Sequence, residues 1–168
     1  DLLTYYEQHV LLDQVHSDII YGSLLGDGTI RVRSRDTACF SLANQEQPDY
    51  LKWKIEHLPM LNMRLGGCDC RPRYDSEYSV EMKTLKDRFY NCGAGYRGVP
   101  AALQLTSRML AVWYMDDGWQ KDDGYRRTIT PVISVKRMAE GDITRAISAL
   151  CLELGTNSVT YQPSNRTL

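Results

Sequence analysis

Along residues 13–25 the apolar positions Val15, Ile19, Ile20, Leu24 and Leu25 recur mostly at three- and four-residue steps. That spacing predicts an amphipathic helix, with Ser17 or Asp18 as its cap and Gly28 as its end. TIRVRSR and TACFSLA follow with strand-like alternation, then a polar gap opening at Gln45 and a helix over 49–58. Strands are expected again over 63–73 and 77–80, and a helix over 82–90. The segment NCGAGYRGVP, with Gly93, Gly95, Gly98 and Pro100, breaks regular structure and is the best linker. Beyond it, Thr106 or Ser107 caps a helix that runs through MLAVWYM to Asp117-Gly118. A polar stretch, QKDDGYRR, leads to the strand TITPVISVK, a helix over 142–154 stopped by Gly155, and a strand near Val159. Helix, strands, helix thus occurs twice.

Composition agrees with a folded protein: 168 residues, 43% hydrophobic and 24% charged, with apolar residues spread along the whole chain. Apolar runs stay well short of the roughly 20 residues of a membrane span, and DLLTYYEQHV carries no basic leader, so no membrane partner is expected. The five cysteines are odd in number and follow no regular framework, which suits a reducing, intracellular compartment. Cys68 and Cys70 form a C-x-C without a second ligand pair, and His9, His16 and His57 are not spaced to supply one, so zinc is not expected. The net charge of -1 looks wrong for a nucleic-acid binder until it is divided by position. Residues 1–28 hold five acids and no Lys or Arg, whereas the remainder holds 20 basic residues against 16 acids. A modest basic surface is therefore available.

The two landmarks IYGSLLGDG (20–28) and LAVWYMDDG (110–118) lie 90 residues apart, and each is an apolar helix pattern ending in Asp-Gly. Such a period suits a duplicated half-domain. Asp27 and Asp117 sit where the helix dipole disfavours a carboxylate, and a pseudo-two-fold axis would also bring them together. A divalent cation relieves both penalties, and hard oxygen ligands without nearby His or Cys point to Mg²⁺. The other reading of Asp-Gly is a plain turn signal. Gly22 and Gly26 lie on one face of the first helix and allow close packing. The second offers Ala111 but has Val112 and Asp116 at the equivalent places, so the interface is asymmetric. Arg31, Arg33 and Arg35 alternate along a predicted strand, Arg71 and Arg73 repeat the pattern, and Arg126, Arg127, Lys136 and Arg137 flank the later strand. Arginine forks suit guanine edges and phosphates, although a solvated sheet face carries the same residues. Asp122, Asp123 and Gly124 lack the ligand pattern of an EF-hand and read as a polar turn.

These landmarks resemble the two signature helices of the LAGLIDADG homing endonucleases. LAVWYMDDG is very near the form found in their single-chain, two-motif subgroup, and FYNCGAGYRGVPAALQLTSRML is similar to that subgroup's approach to the second helix. The resemblance implies an α+β fold of two αββαββα repeats, whose antiparallel sheets form a DNA-binding saddle and whose motif helices meet at the repeat interface. It implies repeats at 1–92 and 106–168 joined by a linker at 93–105. It also implies a metal set of Asp27 and Asp117 with the adjoining Gly26 and Asp116, and a metal-dependent double-strand break with short 3′ overhangs at a long site in double-stranded DNA. The subgroup often carries Lys three residues before the Pro that precedes the second motif. Arg97 stands there, and arginine stabilises phosphate charge but accepts no proton. Only 50 residues follow Gly118, so the second repeat is expected to lack its last strands and helices. The chain would then be a fragment, a degenerate copy, or a half completed by another chain; otherwise pseudo-symmetry implies a monomer. The alternative function on this scaffold is a non-cleaving binder of DNA or intron RNA, such as a splicing maturase.

Overall fold

The computed structural model describes residues 13–43, 46–68, 71–90, 97–124 and 128–168. The first half runs α1 (Gln14–Leu25), β1 (Thr29–Val32), β2 (Ala38–Leu42), α2 (Pro48–Glu56), β3 (Arg64–Cys68), β4 (Arg71–Asp75) and α3 (Val80–Phe89). The second runs α4 (Ser107–Asp117), β5 (Gly118–Asp123), β6 (Thr128–Ile133) and α5 (Glu140–Leu154). The first half therefore has the order αββαββα, and the second repeats its opening αββα. Residues 166–168 then lie beside the end of β6 and the residues just after it: Val135 N–H donates to Arg166 O at 2.9 Å, and Ile133 and Leu168 exchange backbone hydrogen bonds at 3.0 Å. Thr167 makes an isolated antiparallel bridge to Ser134, outside the named strands.

The helix ends follow local chemistry. Asp13, rather than Ser17 or Asp18, caps α1, its side chain accepting from His16 N–H; Ser17 and Asp18 fall inside the helix. Ser79 caps α3 and Thr106 caps α4 in the same way. Gly155 ends α5 in the left-handed conformation, with φ 61°. Three expectations need correction. The polar GWQKDD is strand β5, paired with β6 from Gly118↔Ile133 to Asp123↔Thr128. Gln120, Lys121 and Asp122 are all exposed, so no hydrophobic alternation betrays it. Conversely, Ser79 of the expected 77–80 strand makes only an isolated bridge to Ala38, and the segment near Val159 forms no strand.

The larger sheet has the order β1-β2-β4-β3 and is antiparallel throughout. Successive side chains alternate faces, so Ile30, Ala38, Phe40 and Leu42 share one side. All four are buried in the same core as Met82 and Phe89 of α3, which packs across β1 and β2. Each large side chain buried there stabilises the fold by about 1.5–3 kcal/mol. That core is continuous with Ile19, Ile20 and Leu24 of α1 and with Met109, Val112 and Trp113 of α4. The two motif helices thus form the centre of the molecule. No helix among the described residues is long and apolar enough to cross a membrane.

Candidate active site

The α1–α4 contact is built on missing side chains. A Cβ on Gly22 would stand 2.7 Å from Met109 O and from Val112 Cβ, and one on Gly26 would stand 2.4 Å from Asp116 Cβ. Real side chains cannot meet so closely, so both glycines are required for the helices to touch. The partners are Val112 opposite Gly22 and Asp116 opposite Gly26, the asymmetric pairing expected from the aligned motifs. Ala111, expected at this interface, is exposed instead. At 100° per residue it points away from the face shared by Met109, Val112 and Asp116. Neither Gly28 nor Gly118 adopts the left-handed conformation. They are needed for space: a Cβ would lie 2.7 Å from Ser23 O at Gly28 and 2.4 Å from Tyr114 O at Gly118.

Asp27 follows the C-cap Gly26 of α1, and Asp117 is the last residue of α4. Burial raises the Asp117 carboxyl from its ordinary range to about 6, and the charge of Asp27 adds to the rise, against the pull of Arg97. The two motif carboxylates therefore sense each other across the helix crossing.

Asp116 is differently employed. Its side chain is fully buried and its Oδ1 lies 2.5 Å from Lys54 Nζ of α2, itself 4% exposed. Its Oδ2 accepts the backbone N–H of Asp27 at 3.2 Å. Both oxygens thus have partners within the protein, and Asp116 supports the Asp27 backbone. Burial drives Lys54 down and Asp116 up towards their neutral forms, and each is the main counterweight to the other. Tyr50 completes the cluster: its ring lies 4.5 Å from Lys54 Nζ and its hydroxyl donates to Val112 O at 3.1 Å. Lys54 and Tyr50 escape sequence reasoning because nothing in PDYLKWKIE distinguishes the buried Lys54 from the exposed Lys52. The one signal available is an Asp at the tight helix contact, which requires a buried cation nearby.

Arg97 is 4% exposed. Its backbone N–H donates to Arg137 O at 2.7 Å, and its Nη1 donates to Leu25 O near the end of α1 at 3.4 Å. Nη2 is buried and has no hydrogen-bond partner among the described residues. Arg97, Asp117, Ser134, Lys136 and Arg137 line a cavity of about 160 Å³ beside the carboxylate pair. Lys136 and Arg137 are exposed at its rim, so an acid and three basic residues converge on one small space. Among the described residues no group of three or more His, Cys, Asp or Glu side chains encloses a metal.

The candidate DNA face is the polar side of the larger sheet. Strand β1 ends at Val32, so Arg33 and Arg35 lie in the turn beyond it and the expected three-arginine strand face is shorter than the alternation implied. The cause is a local knot: Arg33 N–H and Ser34 N–H both turn to Thr37 O, and the Ser34 and Thr37 hydroxyls bond each other at 2.9 Å. Arg31 and Arg73 do share a face, and both bind Asp75, a residue the charge pattern did not single out. Arg33 stacks over Tyr78 at 5.1 Å. The side chain of Arg71, and Arg126 and Arg127 entirely, lie outside the described residues.

A family model, that of the LAGLIDADG DNA endonuclease family, matches residues 17–161. The chain belongs to the LAGLIDADG DNA endonuclease family. Its motif helices are therefore α1 and α4, and Asp27 and Asp117 are the last acidic residues of the two motifs. A solved structure, the homing endonuclease I-WcaI bound to its DNA recognition sequence, superposes with a TM-score of 0.67 over 99% of this chain and 79% of that one, at 17% identity. That likeness concerns the fold and agrees with the α+β LAGLIDADG architecture. Proteins named RecA from Mycolicibacterium fallax and Mycolicibacterium flavescens are 32% identical over 117 residues, 67% of this chain. The chain spans about a quarter of the length of these curated relatives.

Proposed function

We propose that the chain is a site-specific homing endonuclease that makes a metal-dependent double-strand break, with short 3′ overhangs, at a long site in double-stranded DNA. The observation that carries this reading is the pair of motif carboxylates at the helix crossing, Asp27 and Asp117, with Asp117 raised by burial and by its partner. The donor set fits Mg²⁺: carboxylate oxygens with no His or Cys, and too few protein ligands to close the shell, leave positions for water and phosphate oxygens. A bound ion there supplies Lewis-acid stabilisation and an acidified water.

The chain's own groups do the rest. Asp27 and Asp117 would each serve one strand. Arg97 stays protonated, and its charge beside Asp117 would favour a phosphate in the cavity, while Nη1 holds the end of α1. Lys136 and Arg137 at the cavity rim would neutralise neighbouring phosphates, and the arginines of the larger sheet would face the groove. The likeness to a minor part of much longer RecA proteins fits an endonuclease carried inside a host gene, hence intron or intein mobility.

The test is a cleavage selection on a randomised duplex library in Mg²⁺, repeated in Ca²⁺. The expected result is one enriched long target cut on both strands in Mg²⁺. Salt-sensitive binding with no cleavage of any library member would instead identify a non-cleaving binder on this scaffold.

A further inference from the structure

An acid stands in the middle of the basic sheet face, where a purely electrostatic DNA surface has no use for one. Asp75 ends β4, and its register places it directly across from Ser41 of β2 on one side and Arg64 of β3 on the other. Arg73, two residues earlier and hence on the same face, donates Nε–H to both Asp75 oxygens, at 2.9 and 3.0 Å. Arg31 reaches Asp75 Oδ2 with Nη1 at 3.1 Å from β1, two strands away. It crosses β2 where that face carries only the small, buried Cys39 and Ser41. The Ser41 hydroxyl donates to Asp75 Oδ1 from beneath. Space for the carboxylate comes from Gly66 of β3, where a Cβ would lie 3.0 Å from Asp75 Oδ2 and 3.6 Å from Arg73 Nη2. One carboxylate therefore gathers two arginines, a serine and a glycine from all four strands.

We infer that Asp75 is the specificity-determining positioning residue of this face, holding Arg31 and Arg73 as fixed base-reading forks rather than mobile phosphate contacts. The inference rests on the DNA-binding reading above. The chemistry lies in which donors remain. Arg73 spends Nε–H on Asp75 and keeps its two terminal nitrogens; Arg31 spends Nη1 and keeps the edge formed by Nε and Nη2. Both guanidiniums stay partly open to solvent, with side chains 43% exposed for Arg31 and 32% for Arg73. A guanidinium fixed with two parallel donors free matches O6 and N7 of guanine. An untethered arginine instead falls onto the nearest phosphate, which positions the protein and carries no sequence information. Asp75 also cancels one of the two positive charges, trading non-specific attraction for orientation.

The test compares the whole chain with Asp75→Asn and Asp75→Glu. Binding to short duplexes of random sequence is measured across salt concentration, and each protein is then taken through selection from that pool. Asp75→Asn frees both arginines. Its salt slope should steepen by about 0.9 for each phosphate newly contacted, its random-pool affinity should rise, and its selected sequence should lose a preferred guanine at one or two positions. Asp75→Glu keeps the charge but moves the carboxylate, so its selected sequence should change while its salt slope does not. Should Asp75→Asn fail to melt cooperatively, the Asp75→Glu selection decides alone. An unchanged selected sequence in every variant that folds overturns the inference, even where the slope moves, because Asp75 is then only a charge. If the unaltered chain shows no salt-sensitive duplex binding, it is the DNA-binding reading that falls.

Discussion

Replacing Lys54 by Met keeps most of the buried stem and removes the ammonium from Asp116. In the native protein the two ends are 2.5 Å apart, with side-chain exposures of 4% and 0%, so water cannot take the place of either partner. Deleting one member of such a pair leaves a buried charge and costs about 3–5 kcal/mol. For a chain of this length that corresponds to a fall in Tm of about 6–20 °C. The double variant Lys54→Met with Asp116→Asn is the informative partner. It removes both charges, keeps an amide oxygen for the Asp27 N–H, and should recover all but about 1–2 kcal/mol of the loss. Urea unfolding followed by circular dichroism at neutral pH gives both values. If Lys54→Met loses less than about 1 kcal/mol, or the double variant is no more stable than the single, then the pair is not the buried lock that its burial and short distance imply.

Other expectations concern the carboxylates, the helix crossing and the phosphate cavity. Asp27→Asn or Asp117→Asn should abolish double-strand cleavage while metal-independent DNA binding persists, read by plasmid linearisation and gel shift; a linearised plasmid from either variant would remove that aspartate from the metal site. In the folded, metal-free protein Asp117 keeps its proton up to about pH 6. An unfolded chain releases it near pH 4, so the native state holds the extra proton between these values. Stability should therefore fall as pH rises from about 4 to 6 and level off above; Asp117→Asn should flatten that segment of a Tm-against-pH series. Gly26→Ala places a methyl 2.4 Å from Asp116 Cβ and should cost about 1–3 kcal/mol by overpacking, measured by chemical denaturation. Arg97→Lys should keep fold and charge but let go of Leu25 O, slowing cleavage more than it weakens binding in single-turnover assays.

The fold was legible where burial is one-sided. The spacing of Ile19, Ile20 and Leu24 marked α1, and the offset of 90 residues matched Gly22 with Val112 and Gly26 with Asp116, as the helices meet in space. Strand β5 was hidden because its exposed polar residues leave no alternation to detect. Ala111 was misplaced for a different reason: a small residue in a motif invites an interface role, but helical phase decides which way it points. Asp75 and Lys54 were invisible for a third reason. Each is one charge in a polar stretch, and its importance depends on partners 44 and 62 residues away. Such a dependence exists only once the register of β1, β2 and β4, or the seating of α2 on α4, is known.

The unequal helix crossing makes the two motif helices non-interchangeable. In a homodimer of the first half, Gly26 would face Gly26 and leave a hollow, while Lys54 would enter the interior without an acid. In a homodimer of the second half, Asp116 would face Asp116 with no counter-ion, and Val112 would collide with Val112. The two helices therefore fit as a plug and a socket, and no single substitution would let either pair with its own kind. Any attempt to recombine halves from related chains must transfer Gly22, Gly26 and Lys54 as one set and Val112 and Asp116 as its complement.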